Sequence, residues 1–495
     1  MTNPNPLTDN ELQAAAYFAV GVTSEGSIAG RDVAYRLSFA GNVGAGGRME
    51  PVANSGYSLG TLQIDLGQHP DVARDLLDSY QAWARAHPDR ATLELGENDY
   101  NATLQSLQRT GREMRADNAV DIDRARINRF LASDAGRTFV HVLDTEHVYG
   151  VTTTDEVVGN RDSALERLQR TDLYRNSTGD EQAELAGMMM KLQNQAGRGR
   201  WPGLLDQIEA GTLTSPNDVK TTIDGFLPNQ RNGNADYLES GADNTLRGIG
   251  VLNALRGADP DSPLSRAWGN VLANPLIGPV DAHQPNAGNP NLGFEYDTVR
   301  SLFLTPEGSR RMIEALDRGG SLAEGNPRPN AQGRREAGFY VSGDDFVHWN
   351  RNGEGQAYIG GRWRSIDPDN VTRTRHADGT TTLTIDENGR QETLLHVDPR
   401  TPVLRADAGA LPEWLSPARD EPERQVAHSM PTFESPYLNR LLAAVTAGDE
   451  MGADRILREY ARSPEGVAFL ERGGQPPVEQ QAEERAVQQP PVRQA

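Results

Sequence analysis

The chain of 495 residues contains no cysteine and no long apolar segment. Without cysteine it can form neither a disulfide framework nor a cysteine zinc site, and it has no thiolate nucleophile. A membrane-spanning helix requires about 18 consecutive apolar residues, and the sequence has no such stretch. Phosphate-binding loops, dinucleotide fingerprints and metalloprotease motifs are absent as well. We therefore expect no membrane insertion and no metal or other cofactor.

Positive charge is also scarce. The sequence has 49 Lys and Arg residues against 70 Asp and Glu residues, a net charge of −21. An acidic chain is repelled by phosphate backbones, so nucleic acid is not an expected partner. The same charge gives no electrostatic help in holding an anionic cell wall.

The first residues, MTNPNPLTDNELQAAAYFAVGV, lack both a basic segment and a long apolar run. A Sec signal peptide needs both features. If the protein acts outside the cytoplasm, we expect its export to follow another route.

The sequence predicts an early helix with clear limits. Thr8 and Glu11 have the spacing of a capping box, and Leu7 and Leu12 have the spacing of a hydrophobic staple. Apolar residues then recur at helical spacing, which predicts one buried face. The pattern breaks at Glu25, between Ser24 and a glycine.

The composition changes several times along the chain and predicts an α+β protein. A mainly helical N-terminal domain contains a small β-hairpin, and a small β-meander module with Asn-Gly and Asp-Gly turns follows, then a short helical C-terminal segment. The predicted segments are a domain over 1–257, a linker with short helices over 258–337, the β-meander over 338–404, the helical C-terminal segment over 405–473 and a disordered Gln/Pro-rich tail over 474–495.

Glu25 lies directly after an apolar segment, which is an unusual position for a carboxylate. It follows the apolar run 19–22 and precedes glycine, so its side chain can face a cleft while apolar neighbours surround it. Apolar surroundings favour the protonated form of a carboxyl group, which a general acid needs near neutral pH. Taken alone, such a residue is more often a solvated carboxylate at the end of a helix.

A second segment, Ser58-Leu-Gly-Thr-Leu-Gln-Ile-Asp65, follows downstream of Val-Thr-Ser-Glu25-Gly. Together the two segments resemble the soluble lytic transglycosylases and goose-type lysozymes of the lysozyme-like superfamily. The resemblance implies that residues 1–257 are a catalytic domain that cleaves peptidoglycan. It also implies that Glu25 is the catalytic acid, Gly60 a glycine at a close approach and Gln63 a residue lining the cleft.

The resemblance implies further roles near this hairpin. Asp65 would position water or support the developing charge, although a polar pair flanking a turn explains Gln63 and Asp65 equally well. Ser58 could hydrogen-bond to sugar or to backbone, and Tyr57 could stack on a sugar or pack as a half-buried strand residue. The second catalytic group therefore stays open between Asp65, Gln63 and no protein group at all.

Asp144 and His147 lie three residues apart in a predicted helix, so both can face one cleft. The apolar residues around them make this helix typical of a core. A structural pair is the more frequent outcome for such residues.

The implied function is cleavage of the β-1,4 bond between MurNAc and GlcNAc, by a muramidase or a lytic transglycosylase. We expect a secreted antibacterial effector or a phage-type lysin that acts in the periplasm or on the cell wall of a target bacterium. Its partners would be the peptidoglycan glycan strand, a secretion machinery and a cognate immunity protein. The alternative is a non-enzymatic structural or binding component of a virion or secretion apparatus, in which Glu25 has no catalytic role.

Overall fold

The computed structural model describes residues 6–52, 54–153, 163–196, 200–226, 236–286, 288–387 and 389–399. The chain divides into two units, Met1–Gly409 and Ala410–Ala495, and every described residue belongs to the first. The helical segment and the tail predicted over 405–495 lie outside the described residues.

The described residues have the predicted α+β architecture: a mainly helical part up to residue 317, which includes seven short strands over 27–65, and then eight antiparallel strands. The helices are α1 (Asp9–Ala14), a π-helix (Ala15–Glu25), α2 (Pro70–Ala86), α3 (Arg90–Leu93), α4 (Glu97–Leu107), α5 (Gly111–Ala116), α6 (Arg124–Leu131), α7 (Asp134–Thr152), α8 (Ala164–Gln169), α9 (Asp172–Asn176), α10 (Gly179–Ala196), α11 (Trp201–Glu209), α12 (Pro216–Asp224), α13 (Asp236–Gly257), α14 (Pro263–Leu272), α15 (Pro279–Ala282), α16 (Leu292–Leu304) and α17 (Pro306–Asp317). Short 3-10 helices span Ala45–Gly47 and Pro368–Asn370.

The strands form five small antiparallel sheets in the described residues. They are β1 (Ser27–Ile28), β2 (Arg31–Asp32), β3 (Ser38–Phe39), β4 (Gly41–Val43), β5 (Met49–Pro51), β6 (Tyr57–Leu59), β7 (Ile64–Asp65), β8 (Ser321–Glu324), β9 (Gly338–Ser342), β10 (Asp345–Trp349), β11 (Gly355–Ile359), β12 (Arg362–Ile366), β13 (Val371–Arg375), β14 (Thr381–Glu387) and β15 (Arg390–Val397). The sheet orders are β1-β2, β4-β5, β3-β6-β7, β12-β11-β10-β9-β8 and β13-β14-β15.

The first helix begins as the sequence predicts. Thr8 accepts a hydrogen bond from the backbone N–H of Glu11, and the Glu11 side chain accepts one from the N–H of Thr8, which completes the capping box. From Ala15 the helix continues as a π-helix and ends at Glu25. Every residue from Ala15 to Thr23 is buried, so the prediction of a single buried face is too narrow. The reason is that α7, α10, α13 and α16 all pack against this helix.

Two glycines let the backbones around the π-helix approach closely. A Cβ added at Gly248 of α13 would lie 2.8 Å from the Cα of Ala19. A Cβ added at Gly21 would lie 2.6 Å from Cγ2 of Thr61, a residue in the turn between β6 and β7. The π-helix therefore touches α13 on one side and the tip of the predicted hairpin on another.

The linker predicted over 258–337 differs from the structure. Residues 263–317 hold α14, α15, α16 and α17, and Trp268, Tyr296 and Phe303 lie in the same apolar core as Phe18 of the π-helix. The Pro and Asn residues that suggested a linker are in short turns and at helix starts, for example Pro263 behind the N-cap Ser262. The helical core therefore extends past residue 257.

The β-meander is present and begins earlier than predicted, at β8. Its turns use glycine in the left-handed region, with φ of 94° at Gly353, 86° at Gly379 and 75° at Gly389. One of the predicted Asn-Gly turns is Asn388-Gly389, and its Asn388 lies outside the described residues. No helix among the described residues is long and apolar enough to cross a membrane.

Candidate functional site

Glu25 ends the π-helix and meets a buried lysine. Its side chain is 17% exposed, and Oε1 lies 2.5 Å from Nζ of Lys191, whose side chain is only 2% exposed. Burial lowers the pKa of Lys191, and the charge of Glu25 and its hydrogen bond oppose that shift. The helix α10 thus places a desolvated ammonium group directly against this carboxylate.

Asn194 lies three residues further along α10 and joins Glu25 to the hairpin. Its Nδ2 donates to Oε1 of Glu25 at 3.0 Å and to the carbonyl oxygen of Leu62 at 3.4 Å. Within the described parts of the chain, Oε2 of Glu25 has no hydrogen-bond partner. One oxygen is therefore held by α10, and the other is available to solvent or to a bound molecule.

The hairpin predicted from the sequence is formed by β6 and β7, in which Ser58 pairs with Asp65. Its turn needs a residue in the left-handed region at Gly60, where φ is 89°. A Cβ added at Gly60 would lie 2.8 Å from Oδ1 of Asp144. A glycine at a close approach is what the resemblance implies for Gly60, and the neighbour that it approaches is Asp144.

Asp144 fixes the tip of the hairpin. It is fully buried on α7, and its Oδ1 accepts the backbone N–H of Thr61 at 2.7 Å. Burial raises the pKa of Asp144 to about 6, although hydrogen bonds from Thr61 oppose that rise. Because Asp144 binds the hairpin backbone, we assign it a structural role.

His147 lies one turn further along α7 and faces the same region. Burial is the main cause that lowers the pKa of His147, and nearby His69 lowers it further. A hydrogen bond with Asn194 and the charge of Glu25 act in the opposite direction. The face of α7 that carries Asp144 and His147 therefore does turn toward Glu25 and the hairpin.

The other predicted hairpin residues bind the hairpin itself. Ser58 Oγ donates to Oε1 of Gln63 at 2.8 Å, and Nε2 of Gln63 donates to the carbonyl oxygen of Gly60 at 2.8 Å. Asp65 accepts the backbone N–H of Gly56 at 3.2 Å and of Gly67 at 2.9 Å. In the part of the chain that the structure describes, none of Ser58, Gln63 and Asp65 hydrogen-bonds to Glu25. These contacts match the turn-flanking alternative.

Of the two alternatives that the sequence left open for Tyr57, the structure has the packed strand residue, and the ring is not available to a sugar. Its side chain is fully buried beside Phe39, and its hydroxyl donates to Asp121 at 2.7 Å and accepts the N–H of Ile122 at 3.1 Å. The ring is a core residue because β6 lies between β3 and β7 in its sheet.

Sequence reasoning missed Lys191 and Asn194, which make polar contacts with Glu25 among the residues that the structure describes. The available signal was a single lysine directly after three methionines in a helix that otherwise reads as core. A charged residue in such a place is rarely fully buried unless it is paired. Its partner is distant in sequence, so no local spacing could identify Glu25.

The arrangement suits proton transfer at one carboxyl group. A proton leaving Oε2 creates a carboxylate whose other oxygen is already held by α10, through the ion pair with Lys191 and a hydrogen bond from Asn194. No cluster of three or more metal-ligating side chains occurs among the described residues. Comparison with protein-family models, with curated proteins and with solved structures gives no match for this chain.

Proposed function

We propose that this protein is a peptidoglycan-cleaving glycosidase that acts on the β-1,4 bond between MurNAc and GlcNAc, with Glu25 as the general acid. One observation carries the proposal: Asn194 bridges the Glu25 carboxyl group and the backbone of the Ser58–Asp65 hairpin. The two segments that resemble lytic transglycosylases and goose-type lysozymes therefore meet at one place, although they are far apart in sequence.

In the proposed reaction, the Glu25 carboxylate takes up a proton from solvent on Oε2 when the glycan strand binds, and Oε2 gives this proton to the glycosidic oxygen as the C1–O bond breaks. Negative charge then develops on Glu25, and the Lys191 ammonium group and the Asn194 amide stabilise it through Oε1. Lys191 and Asn194 act through Glu25 and are positioning residues.

For the second step, the contacts of the hairpin residues favour a reaction that uses no second carboxylate. Asp65 is bound by two backbone N–H groups and Gln63 by its own turn, so neither is held ready for water. The C6 hydroxyl of the MurNAc unit could instead attack C1, releasing its proton to the Glu25 carboxylate and forming a 1,6-anhydro end. We therefore propose the lytic transglycosylase form of the reaction over the hydrolase form.

The first test compares the parent protein with Glu25→Gln in a zymogram on purified peptidoglycan. We expect the variant to lose clearing by at least about a hundredfold, because the amide cannot donate the proton that the leaving group needs. Glu97→Gln is the matched control, since Glu97 is exposed on α4. Equal clearing by the Glu25 variant and the parent would refute the acid assignment and leave the non-enzymatic alternative. Mass spectrometry of released muropeptides then separates 1,6-anhydro from reducing ends.

The cellular setting is a second part of the proposal: an antibacterial effector or lysin that meets peptidoglycan outside the cytoplasm. Directing the full chain to the periplasm of a bacterium by an added leader should cause lysis, whereas cytoplasmic expression should not. Glu25→Gln with the same leader should be harmless. Lysis by the periplasmic Glu25 variant would show that wall cleavage is not the cause of toxicity. The proposed cognate immunity protein should suppress the lysis by the parent chain.

A further inference from the structure

Two histidines lie on the exposed face of the sheet β13-β14-β15. His396 is on β15, and its cross-strand neighbour on β14 is Thr382. His376 directly follows β13 and begins the turn to β14. Both histidines are exposed, whereas the alternate positions of these strands carry buried apolar side chains. The site proposed around Glu25 uses none of these residues, so an inference from them is independent of the proposed function.

A single hydroxyl group contacts both imidazole rings. Nε2 of His376 lies 2.8 Å from Oγ1 of Thr382, and Nδ1 of His396 lies 3.0 Å from the same oxygen. The centres of the two rings are 6.3 Å apart. Two imidazole nitrogens from different parts of the sheet therefore converge on one point of its exposed face.

Backbone hydrogen bonds fix the positions from which the two rings project. The strand β14 pairs with β13 on one side and with β15 on the other. The N–H of His376 donates to the carbonyl oxygen of Thr380 at 2.9 Å, and the N–H of Gly379 donates to the carbonyl oxygen of His376 at 3.0 Å. A ligand that binds between these rings therefore has to order two side chains and no backbone, which keeps the entropic cost of binding low.

The spacing of the two rings is close to that of imidazoles that share a metal ion. Histidine is the commonest metal ligand in proteins, and imidazole suits Zn²⁺, Cu²⁺ and Ni²⁺. Zn–N bonds of about 2.0–2.1 Å place the centres of two imidazole rings on one tetrahedral ion about 5 Å apart. The rings of His376 and His396, whose centres are 6.3 Å apart, need to approach by only about 1 Å, which rotation of two exposed side chains allows.

Coordination of a metal ion requires a lone pair on both facing nitrogens. A hydroxyl group has one hydrogen, so Thr382 donates to one neutral ring and accepts an N–H from the other. The ring that donates has to lose the proton on its facing nitrogen and take one up on its far nitrogen. This exchange with solvent changes the tautomer of one imidazole and leaves its charge unchanged.

We propose that His376 and His396 bind one exchangeable divalent transition-metal ion, such as Zn²⁺, between Nε2 of His376 and Nδ1 of His396. Among the residues that the structure describes, no third histidine or carboxylate joins them, so water fills the other coordination positions. Structural zinc sites have four protein ligands and catalytic sites three. A site with two protein ligands holds its ion less tightly and exchanges it with solvent. The bound ion links β15 to the turn that follows β13.

The test titrates the full chain, without a histidine tag, with zinc chloride and follows its nine histidines by NMR after selective ring labelling. We expect the signals of His376 and His396 to shift together along one saturable curve. His376→Gln and His396→Gln should each weaken zinc binding by at least about tenfold, because the ion then has a single imidazole ligand. Magnesium chloride should shift neither signal, since Mg²⁺ prefers oxygen ligands. The matched control is His283→Gln, an exposed histidine whose ring nitrogens already contact oxygen atoms at 2.7 Å and 3.1 Å, which should bind zinc as the parent does.

Three results would overturn the proposal. Absence of a saturable response to millimolar zinc would mean that Thr382 alone uses the two rings. Unchanged zinc affinity in both histidine variants would place the binding elsewhere. An equal response to magnesium would indicate unspecific attraction of cations to a chain with a net charge of −21. Melting curves without zinc establish that the variants fold, and added zinc should raise the melting temperature of the parent and of His283→Gln more than that of the other two variants.

Discussion

Glu25 and Lys191 form a buried ion pair in which each charge compensates the other. Lys191 is almost fully buried, and its nearest opposite charge is Glu25 at 2.5 Å. Removing one member of such a pair leaves an uncompensated charge in the protein interior, whereas removing both can cost little. The carboxylate proposed as the acid therefore also stabilises α10. We expect a substitution of Glu25 or Lys191 to change both activity and stability.

A double-mutant cycle measures this dependence. Lys191→Met should lower the free energy of unfolding by about 3 kcal/mol because the Glu25 carboxylate loses its buried counter-charge. Glu25→Gln should cost less, since a buried lysine can release its proton. The double variant should lose less free energy of unfolding than the two single variants lose together. Urea unfolding of all four proteins gives the coupling free energy, and simple additivity would show that the pair contributes no interaction.

The contribution of Asp144 to the free energy of unfolding should depend on pH with the opposite sign to that of an ordinary salt-bridged carboxylate. Burial raises its pKa from 3.8 to about 6, so the folded state binds the proton more tightly than the unfolded state does. Its contribution therefore favours folding below about pH 4 and is lost as the pH rises to about 6, a change of about 3 kcal/mol at most. Asp144→Asn removes the cost of burying the charged carboxylate above about pH 6. Its amide oxygen can still accept the Thr61 N–H.

The measurement is the difference in melting temperature between Asp144→Asn and the parent at several pH values. At pH 7–8 the variant should be the more stable protein, and below pH 4 the difference should disappear. A constant difference across this range would show that the pKa of Asp144 is the same in the folded and the unfolded protein.

Among the secondary-structure elements, local chemistry was predictable and distant contacts were not. The capping box at Thr8, the helix end at Glu25 and the glycine turns of the meander follow from signals within a few residues, and the structure has each of them. The predicted linker over 258–337 differs from the structure because the turn residues in this segment gave no sign that Trp268 and Phe303 are buried. Lys191 was missed because only tertiary packing brings it to Glu25.

The hairpin offers a test at the scale of elements. Gly60→Ala should lower the free energy of unfolding by more than Gly343→Ala. Both glycines have positive φ, 89° and 63°, which costs an alanine about 1 kcal/mol. Only at Gly60 would the added Cβ meet a neighbour, Oδ1 of Asp144 at 2.8 Å, whereas nothing lies within 4 Å of a Cβ at Gly343. Urea unfolding compares the two variants, and equal losses would mean that the close approach to Asp144 is unimportant.

At the scale of the whole molecule, one face of the meander shares an apolar core with the helices around the π-helix. Phe339, Val341 and Phe346 from β9 and β10 lie in the same cluster of buried side chains as the residues of the π-helix, α13 and α16. The helix α17 packs on β8 and β9, and α16 packs on β11 and β12. The five-stranded sheet is therefore joined to these helices through side chains that exclude water, and we expect α13, α16, α17 and β8–β12 to unfold together.

Phe346→Ala tests this continuity. Removing a fully buried phenylalanine from a core costs about 3–5 kcal/mol. If the core is shared, the loss should raise hydrogen exchange in α13 and α17 as much as in β10, because one unfolding event exposes all of them. Ile28→Ala is the control, since Ile28 is 63% exposed and should leave exchange unchanged. Faster exchange confined to β9–β12 would show instead that the meander opens by itself, and a module that opens alone could be removed without loss of the Glu25 site.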